Sequence, residues 1–172
     1  VIVRSIFDRT LFVLGRAAMV AAPAGMLIWV MANLTLDGQT LLTRSAAFLD
    51  PAARFFGLDG VILLGFLLGF PANEIVLPII LMGYTAGTTL TETSDLSRIH
   101  EILTANGWTP VTALCMLLFL LFHFPCSTTC LTIRKETGSW KWTLAAWCIP
   151  TLAGILLCGA VSWTVRLVNF IF

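Results

Sequence analysis

Apolar residues gather in four long stretches, over residues 11–34, 60–84, 108–133 and 142–168, with polar connections between them. A helix needs about 20 apolar residues to cross the hydrocarbon of a bilayer. Each stretch meets that length, so the pattern predicts an all-α membrane protein, a polytopic helical bundle. Every stretch also carries proline, which removes a helix hydrogen bond and crowds the preceding turn. Pro23 lies midway in the first, after Arg16, and Pro150 lies in the fourth, ahead of Arg166. Pro71 and Pro78 bracket Asn73 and Glu74 in the second, and the third breaks at His123-Phe124-Pro125. The bundle is therefore expected to contain Pro-broken helices.

The connections are short or weakly patterned. Residues 45–56, with Arg44, Asp50 and Arg54 set among apolar positions, predict either an interfacial helix or a plain connecting one. Residues 85–107 are the most hydrophilic part, and a short surface helix over 91–106 is expected, capped by Thr91, Thr93 or Ser94. Residues 134–141 form a short loop with three cations.

Composition supports a lipid surrounding. Hydrophobic residues are 58% of the chain and charged residues 11%. A soluble domain carries about 25% charged residues, so this chain lacks the groups to cover a wet surface. The net charge of +1 and the lack of a basic run argue against nucleic acid. Trp108, Trp140, Trp142 and Trp163 flank apolar stretches, as expected at bilayer interfaces. The five cysteines are odd in number and lie in apolar segments, which does not suggest a disulfide framework; Cys115, Cys148 and Cys158 read as small buried hydrophobes. No secretory signal is apparent, and a chain opening on Val1 is expected to be an excerpt from a longer polypeptide. No internal repeat or soluble second domain is visible, so residues 1–172 read as a single transmembrane domain.

Cation placement bears on topology. If all four stretches cross, the cations divide five against five. If the second turns back at Pro71–Glu74, then Arg4, Arg9, Arg16, Arg134, Lys135 and Lys141 share one side. Arg44, Arg54, Arg98 and Arg166 share the other. Six against four favours a re-entrant second stretch with the six-cation side cytoplasmic.

Two constellations could carry chemistry. Glu74 is the sole carboxylate of the second stretch, and an ionisable residue inside a membrane segment needs a partner or a polar interior. Pro71 and Pro78 would leave the carbonyls near Leu67 and of Glu74 without donors, beside the Asn73 amide. Oxygen-rich, unwound backbone is how membrane transporters hold cations. The plainer alternative is a helix kink with Glu74 paired to an Arg such as Arg16. The second constellation runs from Phe122 to Cys130. On an ideal helix His123, Cys126 and Cys130 share a face. Imidazole and thiolate suit Fe²⁺ or Zn²⁺ better than Mg²⁺ or Ca²⁺. Ser127, Thr128 and Thr129 would cap the second half-helix or bond across helices. The plainer alternative is a Pro-kinked helix with a buried thiol and an interfacial His. No nucleotide-phosphate loop, zinc-protease pair or nucleophile elbow occurs. Cys126 with His123 is the only nucleophile–base pair for an enzyme, and no third orienting group accompanies it.

The runs Gly69-Phe70-Pro71-Ala72-Asn73-Glu74-Ile75, His123-Phe124-Pro125-Cys126-Ser127-Thr128-Thr129 and Lys135-Glu136-Thr137-Gly138-Ser139-Trp140-Lys141-Trp142 resemble the membrane domain of the FeoB family of ferrous iron transporters. The opening Arg4-Ser5-Ile6-Phe7-Asp8-Arg9-Thr10, with Gly15-Arg16 and Ala22-Pro23-Ala24-Gly25, is similar to the start of that family's second Gate segment. The resemblance divides the chain into a Gate-type segment over 11–133 and a C-terminal transmembrane helix over 142–168. It implies a multi-pass protein of the bacterial inner membrane that carries Fe²⁺ and is not itself an enzyme. It also implies a cytoplasmic GTPase domain whose motifs this chain lacks. The implied partners are lipid, Fe²⁺, the remaining membrane helices and the GTPase domain, with a homo-oligomer left open. No permanently bound cofactor is implied. Carried over by position, Cys126 handles the iron, with His123 beside it and with Glu74 and Asn73 as facing polar elements. Two other functions stay open: a Gate-type carrier of another solute such as a nucleoside, and a structural transmembrane subunit.

Overall fold

In the computed structural model, residues 2–36, 38–85 and 95–171 are described. Eight helices account for nearly all of them. Helix α1 runs Ile2–Asn33 and continues through Pro23. A two-residue antiparallel pair, β1 (Thr35–Leu36) and β2 (Gln39–Thr40), turns the chain into α2, Leu41–Phe55. Helix α2 starts four residues ahead of expectation because Thr40 caps it, its hydroxyl accepting from the Thr43 N–H. Helix α3, Gly60–Leu68, follows at 108° to α2, with the Asp59 carboxylate accepting from the Ile62 N–H at 2.8 Å.

The second apolar stretch is not one helix. It folds as α3, a break with one 3-10 turn at Asn73–Ile75, and α4, Val76–Thr85. The residue before a proline avoids helical backbone, so Phe70 and Pro71 end α3. The two arms lie antiparallel. Gly83 sits against Val61, Gly65 against Ile80 and Val76, and Gly69 against Val76. At the open end Tyr84 donates to Asp59 and Trp108 Nε1 donates to the Tyr84 hydroxyl at 2.7 Å. The chain thus enters and leaves this hairpin at one level. Each arm is about 15 Å long, half the hydrocarbon thickness. That geometry agrees with the re-entrant alternative.

Helix α5 spans Leu96–Ala105, capped by Asp95 through the Ser97 N–H. Expected caps at Thr91, Thr93 or Ser94 lie outside the described residues. Helix α6, Pro110–Phe122, starts with Pro at its first position, where no N–H is needed. Helix α7, Ser127–Thr137, continues in line after a four-residue break and ends on Gly138 at φ 64°. Helix α8, Trp140–Ile171, passes through Pro150 and packs along both.

The hairpin is the centre of the bundle. On one side Leu64, Ile79 and Met82 pack with Ile28, Ala32, Leu42 and Ala46 of α1 and α2. On the other, Ile62, Phe66 and Ile80 pack with Cys115, Phe119 and Cys158 of α6 and α8. Outward faces are apolar: Met19, Met26 and Trp29 on α1 and Ile149, Leu152 and Leu156 on α8 are each more than half exposed. In water such surfaces would associate, whereas lipid matches them. Among the described residues, Val13–Asn33, Pro110–Thr137 and Trp140–Val168 are long and apolar enough to cross a membrane. The chain is an all-α membrane protein.

Candidate functional site

The two helix breaks meet. The Ser127 N–H, at the start of α7, donates to the Phe70 carbonyl at the hairpin tip, 2.9 Å away. The Phe70 and Phe124 rings lie 5.7 Å apart, and Phe66 approaches His123 at 5.2 Å. Phe124 stacks on Trp147 of α8, centroids 5.2 Å apart. One unpaired backbone region therefore satisfies part of the other, as broken helices at membrane depth require.

The backbone at the second break explains the side-chain arrangement. His123 caps the end of α6 in extended conformation, and Cys126 caps the start of α7 in the same region. Extended backbone on both sides of Pro125 takes His123 off the helix that carries Cys130. The expected single face of His123, Cys126 and Cys130 is therefore not formed. The Cys130 thiol turns to the Pro125 carbonyl at 3.4 Å, which makes it a packing group.

His123 is buried, and its Nδ1 lies 2.8 Å from the Leu120 carbonyl. A carbonyl only accepts, so Nδ1 carries the proton and Nε2 presents a lone pair. That Nε2 is buried and has no hydrogen-bond partner. A carbonyl holding the far nitrogen is the usual support for a metal-ligating imidazole. The Ser127 hydroxyl is also buried and unpartnered. Its role was not visible in the sequence, where Ser127 reads as a cap. Cys126 is half-buried, its Sγ 3.1 Å from the hydroxyls of both Thr128 and Thr129. These two hydroxyls both reach the thiol. Beside them lies a cavity of about 320 Å³ bounded by Val13, Thr128, Thr129 and Thr132.

Asn73 and Glu74 sit at the hairpin tip in the 3-10 turn, both exposed. Among the described residues Glu74 makes no ion pair; the Arg16 side chain, its expected partner in the kink alternative, lies outside them. Pro78 falls in the first turn of α4, where no N–H is required, so it breaks no helix bond at Glu74. The Leu67 carbonyl is not orphaned either, since the Phe70 N–H reaches it at 3.4 Å. The expected cluster of free carbonyls is thus smaller than the prolines suggest. Among the described residues no three His, Cys, Asp or Glu side chains stand close enough to share a metal. His123, Cys126 and Glu74 therefore do not form one coordination sphere.

A family model described as Gate, nucleoside recognition, matches residues 14–140. The chain is 30% identical over 141 residues to "Fe(2+) transporter FeoB" of Staphylococcus aureus (strain COL), covering 77% of this chain and 20% of that protein. It is 29% identical over 122 residues to the "Fe(2+) transport protein A/Fe(2+) transporter FeoB fusion protein" of Porphyromonas gingivalis, covering 66% and 14%. A FeoB of Leptospira biflexa is 27% identical over 135 residues, covering 74% and 19%. The chain spans about a fifth or less of the length of these relatives. No solved structure matches it.

Proposed function

Because the chain belongs to the Gate family, alongside the FeoB-type proteins it resembles, we propose that it forms part of a permease for Fe²⁺ in the bacterial inner membrane. The observation that carries this reading is the buried, unpartnered Nε2 of His123 at the junction of two helix breaks. A free imidazole lone pair in the same helix break as a cysteine three residues on favours a borderline divalent ion over Mg²⁺. Fe²⁺ first meets the exposed Glu74 carboxylate and Asn73 amide at the hairpin tip. It then passes to His123 and to Cys126, losing water as softer ligands replace it. Because no three of these groups close a coordination sphere, each holds the ion weakly, and weak sites in series let an ion leave. A GTPase domain elsewhere in the whole polypeptide would gate or drive the flux.

A nucleoside carrier would need aromatic faces free to stack on a base. The rings at the breaks are already engaged, Phe124 on Trp147 and Phe66 against both Phe119 and His123. Those rings offer no free face to an organic solute, whereas Phe70, Trp140 and Trp147 line an apolar cavity of about 310 Å³.

The test is ⁵⁵Fe²⁺ uptake by iron-starved cells expressing the full-length transporter with Cys126→Ser or His123→Gln, surface expression being measured in parallel. Each change should reduce uptake by roughly tenfold or more, the scale of losing support at a metal site. Wild-type uptake in both variants at normal expression would remove the ion path from this junction.

A further inference from the structure

Two cysteines far apart in sequence meet where α6 packs on α8. Cys115 and Cys158 are both fully buried. Each thiol donates to the other's backbone carbonyl, Cys158 Sγ to the Cys115 oxygen at 3.1 Å and Cys115 Sγ to the Cys158 oxygen at 3.7 Å. The two sulfurs are also in hydrogen-bond contact with each other. Reciprocal bonding of this kind turns each Cβ toward the partner's backbone, the close approach that a disulfide requires. Small buried hydrophobes, as the sequence reads these two, need only volume and not this pairing.

The pair is thinly covered. Gly57, at φ +79°, closes over it: a Cβ there would come 3.2 Å from Cys115 Sγ and 2.9 Å from the Ser162 Cβ. Gly57 and Ser162 also line a cleft of about 540 Å³ at the open end of the hairpin. One residue layer therefore separates the thiols from that cleft. The cleft lies at the end of the bundle opposite residues 134–141, the turn that the re-entrant arrangement assigns to the cytoplasmic side. The far side of that membrane is where disulfides persist. We propose that Cys115 and Cys158 are a site of oxidative modification, joined as an interhelix disulfide by a small uncharged peroxide that enters through the cleft. One sulfur attacks a peroxide oxygen, the O–O bond breaks, and a sulfenic acid forms as water or an alcohol leaves with the thiol proton. The second sulfur then displaces the hydroxyl, the S–S bond forms, and water leaves with the second proton. Two electrons pass from the sulfurs to the peroxide. Burial slows the first step, and the adjacent second thiol diverts the sulfenic acid from further oxidation. The bond ties α6 to α8 between the cleft and the break at His123, and it does not depend on which ion the breaks carry.

The full-length polypeptide carrying this chain is reduced, held folded in detergent, and treated with excess hydrogen peroxide well past full reaction of the half-buried Cys126. Remaining thiols are then alkylated in denaturant. Digests are read by mass spectrometry, with fragmentation to assign the linked cysteines. A cross-link between Cys115 and Cys158 should appear, and dithiothreitol should reverse it. It should be lost in Cys115→Ser and kept in Cys148→Ser. The oxidised protein should also unfold at a higher temperature than the reduced one, a shift that Cys158→Ser should abolish. Cys115 and Cys158 each recovered alkylated, or Cys115 carried to sulfinic acid with no cross-link, would overturn the proposal.

Discussion

Replacing Gly60 by alanine would put the new methyl carbon 1.9 Å from the Ala46 carbonyl oxygen and 2.8 Å from the Asp50 nitrogen. Both obstacles are backbone of α2, so no rotamer change relieves them. Ordinary contact starts near 3.4 Å, and α2 and α3 must part by about 1.5 Å to reach it. Overpacking of this kind costs about 1–3 kcal/mol. The same displacement stretches the bond from the Gly60 N–H to Asp50 Oδ1, now 3.0 Å, worth about 1 kcal/mol. A better helix former at the first position of α3 returns less than about 1 kcal/mol. The net loss should be about 2–3 kcal/mol. The assay is equilibrium unfolding of the full-length protein in detergent, with Gly159→Ala in α8 as the control, because a Cβ there meets nothing within 4 Å. Gly159→Ala should be neutral or slightly stabilising. Because α3 carries Phe70 toward Ser127, Gly60→Ala should also lower iron uptake. Wild-type stability in Gly60→Ala would refute the close approach of the two helices and the seating of the hairpin argued from it.

Tyr84→Phe should destabilise the protein by about 1–2 kcal/mol, because Asp59 and Trp108 each lose a partner; denaturant titration read by Trp fluorescence checks it, and an unchanged midpoint would count against the linkage. Ser127→Ala removes a buried hydroxyl with no partner, so stability in iron-free detergent should hold or rise by up to about 1 kcal/mol. A clear drop in that measurement would mean that the hydroxyl is satisfied. Glu74→Gln should reduce iron uptake at unchanged thermal stability, since Glu74 is exposed and makes no ion pair among the described residues; a fall in stability with uptake intact would mark it as a structural charge.

The long apolar stretches and both breaks were legible because their causes are local. Proline removes a helix hydrogen bond and its predecessor disfavours helical backbone, although α1, α2 and α8 run on through Pro23, Pro51 and Pro150. The consequences of the breaks were not legible. His123, Cys126 and Cys130 share a face only if the helix continues through Pro125, and the backbone at His123 and Cys126 is extended instead. The contact between Ser127 and Phe70 joins residues 57 positions apart, and no periodicity reports it. The Asp59–Tyr84–Trp108 chain was hidden for the same reason, its members reading as the end of a polar connection and two stretch ends. Glycines at 60, 65, 69 and 83 gave no warning that they were contact positions, because close approach is a property of the neighbour and not of the residue. The two-residue strands before α2 are too short to leave any pattern.

Helix α8 lies across the second break like a splint across a fracture. Gly154 faces Phe122 on one side of the gap, where a methyl on the glycine would come within 3.0 Å of the Phe122 Cβ, and Trp147 stacks on Phe124 within it. Between those two supports sits Pro150, where the splint has its own missing hydrogen bond. Both rods are therefore weakest at one depth. The missing bond of α8 and the break that holds His123 and Cys126 therefore lie side by side, each braced by the packing of the other rod.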